Sequence, residues 1–252
     1  MRSPLNKRLF RELRGEFGKY LVIFILMTLT IGMVSGFLVA DGSMIQAYEE
    51  SFEKYNIENG HFRTEKKMNN AQIQDIEHLG IKLYENYYVE EALTNGSTMR
   101  IFKNRDEVNK VCLMKGKMPE KPGEIGIDRM YADNNDLSVG DEIESGGHTW
   151  KITGLVALSD YSALFSNNND SMFDSVKFGV SVVCPEEFDS YKADQLNYSY
   201  AWKYNTEPKN EKAEKDISED LMEDVAKEVT LEEFVPRYTN QAIIFTGDDM
   251  GG

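Results

Sequence analysis

Two cysteines in 252 residues are too few for a disulfide framework or a cysteine-rich zinc site. Three histidines, His61, His78 and His148, stand far apart in the chain. No H-E-x-x-H, C-x-x-C, G-x-S-x-G or G-x-x-x-x-G-K-[ST] occurs, so the sequence signals no zinc-protease, thiol-redox, serine-hydrolase or P-loop chemistry. Asp133-Asn134-Asn135-Asp136 has the composition of a calcium loop but neither the spacing nor the closing glutamate of an EF-hand. Basic residues are also scarce, 28 against 43 acidic for a net charge of −15, which leaves no basic face for nucleic acid. The expectation is a protein that is not an enzyme, with no catalytic residue, no cofactor, no metal and no nucleic-acid partner.

Long apolar runs are rare as well. The one that occurs, Tyr20 to Ala40, holds about 21 residues without a charge and spans a hydrocarbon core of roughly 30 Å. It predicts a transmembrane helix over 20–40, too long for the apolar part of a cleaved signal and without a good small-residue cleavage site. A pilin-type start fails for want of a glutamate inside the apolar run. Arg2, Lys7, Arg8, Arg11, Arg14 and Lys19 precede the run, whereas Asp41, Glu49, Glu50 and Glu53 follow it, so the positive-inside rule puts the N-terminus in the cytoplasm. Residues 41–252 carry 22 basic and 41 acidic side chains, a net charge of −19. That field would attract cationic ligands, although acidity also serves simply to keep an exposed domain soluble.

Leu5, Leu9, Leu13 and Phe17 recur every four residues among basic ones, which predicts an amphipathic helix over 1–19 against membrane lipid. Within the span, Gly32 and Gly36 form a GxxxG, a candidate for close helix packing. Beyond it, Ile45, Tyr48, Phe52 and Tyr55 extend the helical stripe into a stalk over 41–60, broken at Asn59-Gly60.

Residues 61–252 read as an α+β, mixed α/β, extracytoplasmic domain of short strands and helices. A helix is expected from Asn70 to Leu79, stopped by Gly80, and strands from Ile81 to Leu93 and Thr98 to Lys103 around a two-residue Asn95-Gly96 turn. Val111–Met114, Gly123–Asp128, Val139–Ile143, Trp150–Leu158, Phe178–Cys184 and Tyr198–Tyr204 read as strands, and Arg129–Asn134 as a helix. Ser159 to Asp174 is loop-like, Lys209 to Val229 an amphipathic helix, and Tyr238 to Phe245 a final strand. Cys112 and Cys184 sit in apolar strand-like runs and are most simply small buried hydrophobes, though an oxidising exterior permits a disulfide between them.

Taken together, SGFLVADGSM, KGKMPEKPGEIGIDRMYADNNDLSVGDEI, TWKITGLVALSDYSALF and RYTNQAIIFTGDDMGG resemble FtsX/MacB-type permease subunits of ABC transporters. Gly116, Pro119, Gly123, Glu124, Ile125, Val139, Gly140, Asp141, Thr153 and Gly154 fill the positions that mark the family's extracytoplasmic core domain. The resemblance implies an N-terminal part of a longer permease in the cell membrane. It also implies a separate ABC ATPase subunit, homo- or hetero-dimerisation of permeases, and transmission of force through helix and stalk. A single-pass sensor or ligand-binding protein is the alternative, and an anchored enzyme a more distant one.

Overall fold

A computed structural model describes residues 14–145 and 147–244, side chains of 37–49 apart. The chain divides into two units, residues 1–49 and 50–252. In the first, helix α1 (Phe17–Lys54) contains a 20-residue stretch, Phe17–Gly36, long and apolar enough to cross a membrane, with none of its window buried. Leu5, Leu9 and Leu13 of the expected amphipathic helix lie outside the described residues, as do the side chains of Ile45 and Tyr48.

The second unit holds two sheets. Strands β1 (Gly60–Thr64) and β2 (Ile81–Glu85) form an antiparallel four-stranded sheet with β10 (Tyr198–Tyr204) and β11 (Leu231–Pro236), in the order β11-β1-β10-β2. Its register sets Phe62 opposite both Tyr200 and Phe234, and the rings stack at centroid distances of 5.6 and 6.3 Å. Helix α2 (Asn70–Glu77) packs on β2, and helix α5 (Glu211–Glu228) packs on α2 and β11. A capping box starts α2, with Asn69 and Gln72 bonding each other's backbone N–H. Ser218, Leu221 and Val225 are the buried stripe of α5, whereas Ile217 remains largely exposed.

The second sheet runs β3-β4-β9-β6-β8-β5, with β7 also on β8. Its members are β3 (Tyr88–Ala92), β4 (Thr98–Lys103), β5 (Val111–Gly116), β6 (Glu124–Asp128), β7 (Glu142–Glu144), β8 (Thr149–Leu158) and β9 (Phe178–Val183). The pairs β4–β9 and β6–β8 are parallel. Ile101, Ile125, Ile127, Ile152, Val156, Val180 and Val182 are fully buried in its core. Its far edges meet, because Thr94 N–H donates to the Glu144 carbonyl at 2.9 Å and Leu93 bridges Ser145. Helix α3 (Arg129–Asn134) is capped by the Asp128 carboxylate, and the short α4 (Pro185–Phe188) follows β9.

The structure corrects the sequence reading at several points. The expected strand Ile81–Leu93 is two strands in different sheets: β2 pairs with β10, a pairing that runs on through Asn86 N–H to Ser199 O and the Tyr88–Asn197 bridge, and β3 pairs with β4. The Asn95-Gly96 turn is a three-residue loop closed by Leu93 N–H to Ser97 O at 2.8 Å, with Gly96 at φ 83°. Tyr238–Phe245 is no strand over its described part. A short 3-10 turn spans Arg237–Thr239, and the Asn240 carbonyl then accepts from Ile243 and Ile244 N–H, winding a helical turn. The strands Gly60–Thr64 and Leu231–Pro236 had no sequence reading. Cys112 and Cys184 are both free. Strands β8 and β6 separate β5 from β9, about 14 Å at the usual inter-strand spacing, beyond the roughly 7 Å a disulfide tolerates.

Candidate functional site: the joint after the apolar helix

Helix α1 ends five residues earlier than Asn59-Gly60 would have ended it. Asn56 takes the left-handed conformation, φ 48°, so its N–H reaches Glu53 O at 3.2 Å and Ile57 N–H reaches Phe52 O at 3.0 Å. This is a Schellman closure with asparagine in the position glycine usually holds. The turn aims the chain at Asn109, which shares the same φ of 48°. Asn109 N–H donates to Asn56 O at 3.1 Å, Lys110 N–H to Tyr55 O at 2.9 Å, and Asn56 Nδ2 to Glu107 O at 2.8 Å. The helix exit is thereby bonded to the segment that opens β5.

The other sheet is held through Asn59. Its N–H donates to Trp202 O and its carbonyl accepts from Arg237 N–H, both at 2.8 Å, while its side chain accepts from Tyr204 N–H. Arg237 also lies 5.2 Å from the Phe52 ring. Residues 52–61 therefore touch both sheets within five residues of the helix end.

Glu58 sits at the centre, 1% exposed. Asn109 Nδ2 donates to Glu58 Oε2 at 2.5 Å and Glu58 N–H to Asn109 Oδ1 at 2.9 Å, while His61 Nδ1 lies 2.6 Å from Glu58 Oε1. A second pair adjoins it. Arg105 grips Asp160 through two bonds of 2.7 Å and donates to Asn86 Oδ1 at 2.9 Å, and Asn109 Nδ2 lies 3.4 Å from Asp160 Oδ2. With His61 protonated the cluster balances two carboxylates against two cations, as burial demands. Burial alone would push the Glu58 carboxyl up, but His61, Asn109 and Arg105 hold it below its ordinary value. Burial likewise opposes a charge on His61, and Glu58 outweighs it, so the imidazole is held above its ordinary value.

The family-marking residues collect elsewhere, around β5, β6 and β8. Gly116 lies opposite Gly154, and a Cβ on Gly116 would come within 2.3 Å of Thr153 O; one on Gly154 would come within 2.4 Å of Lys117 O. Gly140 N–H donates to Ile152 O, Lys151 N–H to Gly123 O, and the Asp141 side chain accepts from Ser138 N–H, each within 2.9 Å. The Glu124 side chain accepts from Glu120 N–H at 3.0 Å. These residues build turns and close strand contacts. Gly32 and Gly36 are exposed on α1, and an added Cβ at either meets nothing within 4 Å.

Sequence reading singled out Phe52 and Tyr55 but missed Asn56, Glu58, Asn109, Arg105 and Asp160. Asparagine in polar stretches such as YNIENG and DEVNK was the available signal, since it tolerates left-handed backbone better than other side-chain-bearing residues. His61, isolated in sequence, is paired in space. A cleft of about 620 Å³ also opens beside the joint, lined by Tyr84, Tyr87, Arg105, Phe188, Tyr191 and Tyr198.

No family model and no curated protein matches the chain. Solved structures do. The periplasmic region of MacB from Actinobacillus actinomycetemcomitans is 11% identical, with a TM-score of 0.38 over 77% of this chain and 94% of that one. The extracellular domain of the noncanonic ABC-type transporter YknZ from Gram-positive bacteria is 10% identical, with a TM-score of 0.32 over 69% of this chain and all of that one. These two similar structures are extracytoplasmic domains. Its fold is mixed α+β with one apolar N-terminal helix, as expected.

Proposed function

We propose that this chain serves as a membrane-anchored part of an FtsX/MacB-type permease and works by transmitting movement, not by catalysis. The observation that carries the reading is the joint: the end of α1 is bonded within a few residues to both sheets, through Asn56 to the β5 entry and through Asn59 to β10 and Arg237. A displacement of the helix end would have to move both sheets or break these bonds. The turns built by the family-marking residues stiffen the sheet that receives it. In this reading the N-terminus is cytoplasmic, residues after the span are outside, and a separate ABC ATPase supplies the motion to a dimer of permeases.

The test is to extract the tagged full-length protein from its own membranes in mild detergent. A nucleotide-binding subunit should co-purify, and ATP should alter protease protection of the outer domain. Asn109→Ala should keep the partner and lose the ATP response. Recovery without any nucleotide-binding subunit, or an ATP response untouched by Asn109→Ala, would sink the reading. The cleft beside the joint favours a second reading, a single-pass ligand-binding protein, in which the tyrosine-lined cavity is the receptor site.

A further inference from the structure

We propose that Cys112, Met114 and Met130 form a binding site for Cu(I). Cys112 and Met114 are two residues apart on the edge strand β5, where an irregularity in the pairing between Leu113 and Lys115 sets Met114 out of the ladder, and Cys112 Sγ lies 3.8 Å from Met114 Sδ. A metal bonded to two sulfurs at about 2.3 Å each, at a tetrahedral angle, sets them about 3.8 Å apart. Met130, in the first turn of α3, lines the same pocket of about 330 Å³ as both of them. Three sulfur donors thus border one cavity.

For Cys112 and Met114 exposure argues against packing as the whole account, whereas Met130 packs partly buried against the core. Met114 is 52% exposed, so its thioether contributes little to the core, and Cys112 is partly exposed whereas the other thiol, Cys184, is buried. The hydroxyl of Tyr55 donates to Cys112 Sγ at 3.2 Å, the outer hydrogen bond that orients and steadies a thiolate ligand. Asp128 borders the pocket too, but one of its carboxylate oxygens is committed to the N–H groups of Met130 and Tyr131. Thiolate and thioether donors select Cu(I) over magnesium, calcium or manganese. Binding releases the Cys112 proton to solvent, and the thiolate with its monovalent ion forms a neutral unit. No electron is transferred.

The test uses the reduced full-length protein in detergent and Cu(I) supplied as its coloured bicinchoninate complex. The wild type should withdraw one Cu(I) per chain, and Cys112→Ser should withdraw none. Met114→Leu and Met130→Leu conserve volume and should each weaken binding at least tenfold with melting temperature unchanged. X-ray absorption of the loaded protein should show sulfur neighbours only. No withdrawal by the wild type overturns the proposal, as does withdrawal retained in Cys112→Ser. Undiminished binding in both methionine variants overturns it too, because it would leave a thiol reacting by itself.

Discussion

Asn109 donates its backbone N–H to the Asn56 carbonyl at 3.1 Å, and the two residues hold the same left-handed conformation. Each turn is needed for the other's bond, since Asn56 stops the helix and Asn109 brings its own side chain back onto Glu58. Replacing Asn109 with alanine removes the Glu58 bonds and leaves a buried carboxylate under-satisfied. A loss of about 2–4 kcal/mol is expected from urea unfolding of the purified protein.

The Arg105–Asp160 pair predicts a non-additive pattern. Both side chains are more than nine-tenths buried. Arg105→Met alone strands the Asp160 charge and should cost about 3–5 kcal/mol, while Arg105→Met with Asp160→Leu should recover part of it. Additive losses in the double-mutant cycle would show that the two charges do not depend on each other.

The Glu58–His61 contact predicts a stability optimum on the acid side of neutrality. A raised imidazole pKa contributes stability that is complete below the unfolded value of 6.5 and is lost as pH rises through the folded value. A lowered carboxyl pKa contributes stability present above the unfolded value of 4.5 and lost as pH falls through the folded value. The melting temperature should therefore be highest between those unfolded values and decline as pH rises through the His61 titration. His61→Gln should flatten that alkaline decline, and a profile unchanged by it would remove His61 as the cause.

Three glycines separate steric from conformational cost. Gly154 has a backbone oxygen where a Cβ would stand, Gly140, at φ 107°, has open space around it, and Gly116, at φ 81°, combines a blocking oxygen with the left-handed backbone. Alanine at 116 or 154 should prevent folding or cost several kcal/mol, against about 1–2 kcal/mol at Gly140. Thermal unfolding of the three variants reads the difference.

On α1, isoleucine at Gly32 or Gly36 should lower helix self-association in a membrane two-helix reporter and leave the melting of residues 50–252 untouched. Unchanged association would assign the GxxxG no packing role.

The sequence made local structure legible where a pattern was local. Ile73 and Ile76 on one face with Gly80 as the stop announce α2, and alternation announces β8, TWKITGLVAL, whose inward residues Trp150, Ile152, Val156 and Leu158 are all buried. Of the family-marking glycines, Gly116 and Gly154 sit where close strand contact leaves no room for a side chain, and Gly123 and Gly140 where the backbone turns left-handed. The break between β2 and β3 was invisible, since IKLYENYYVEEA is one continuous strand-like run whose two halves take different partners, β10 for β2 and β4 for β3. The joint was hidden for the same reason. Glu58 reads as a surface charge until Asn109 and His61 are brought around it.

The crossover at Asn86 also orders the making of the domain. All seven strands of the second sheet lie between residues 88 and 183, inside the chain of the first, whose β1 must wait for β10 and β11. A chain leaving the ribosome has the whole inner sheet in hand before Tyr198 is added, while Phe62 still lacks both of its ring partners, Tyr200 and Phe234. The inner sheet is thus the template, and the outer one closes last over long loops, the slow kind of closure. During that interval Phe62 on β1 is uncovered, and β1 is the stretch for which a chaperone would have most use.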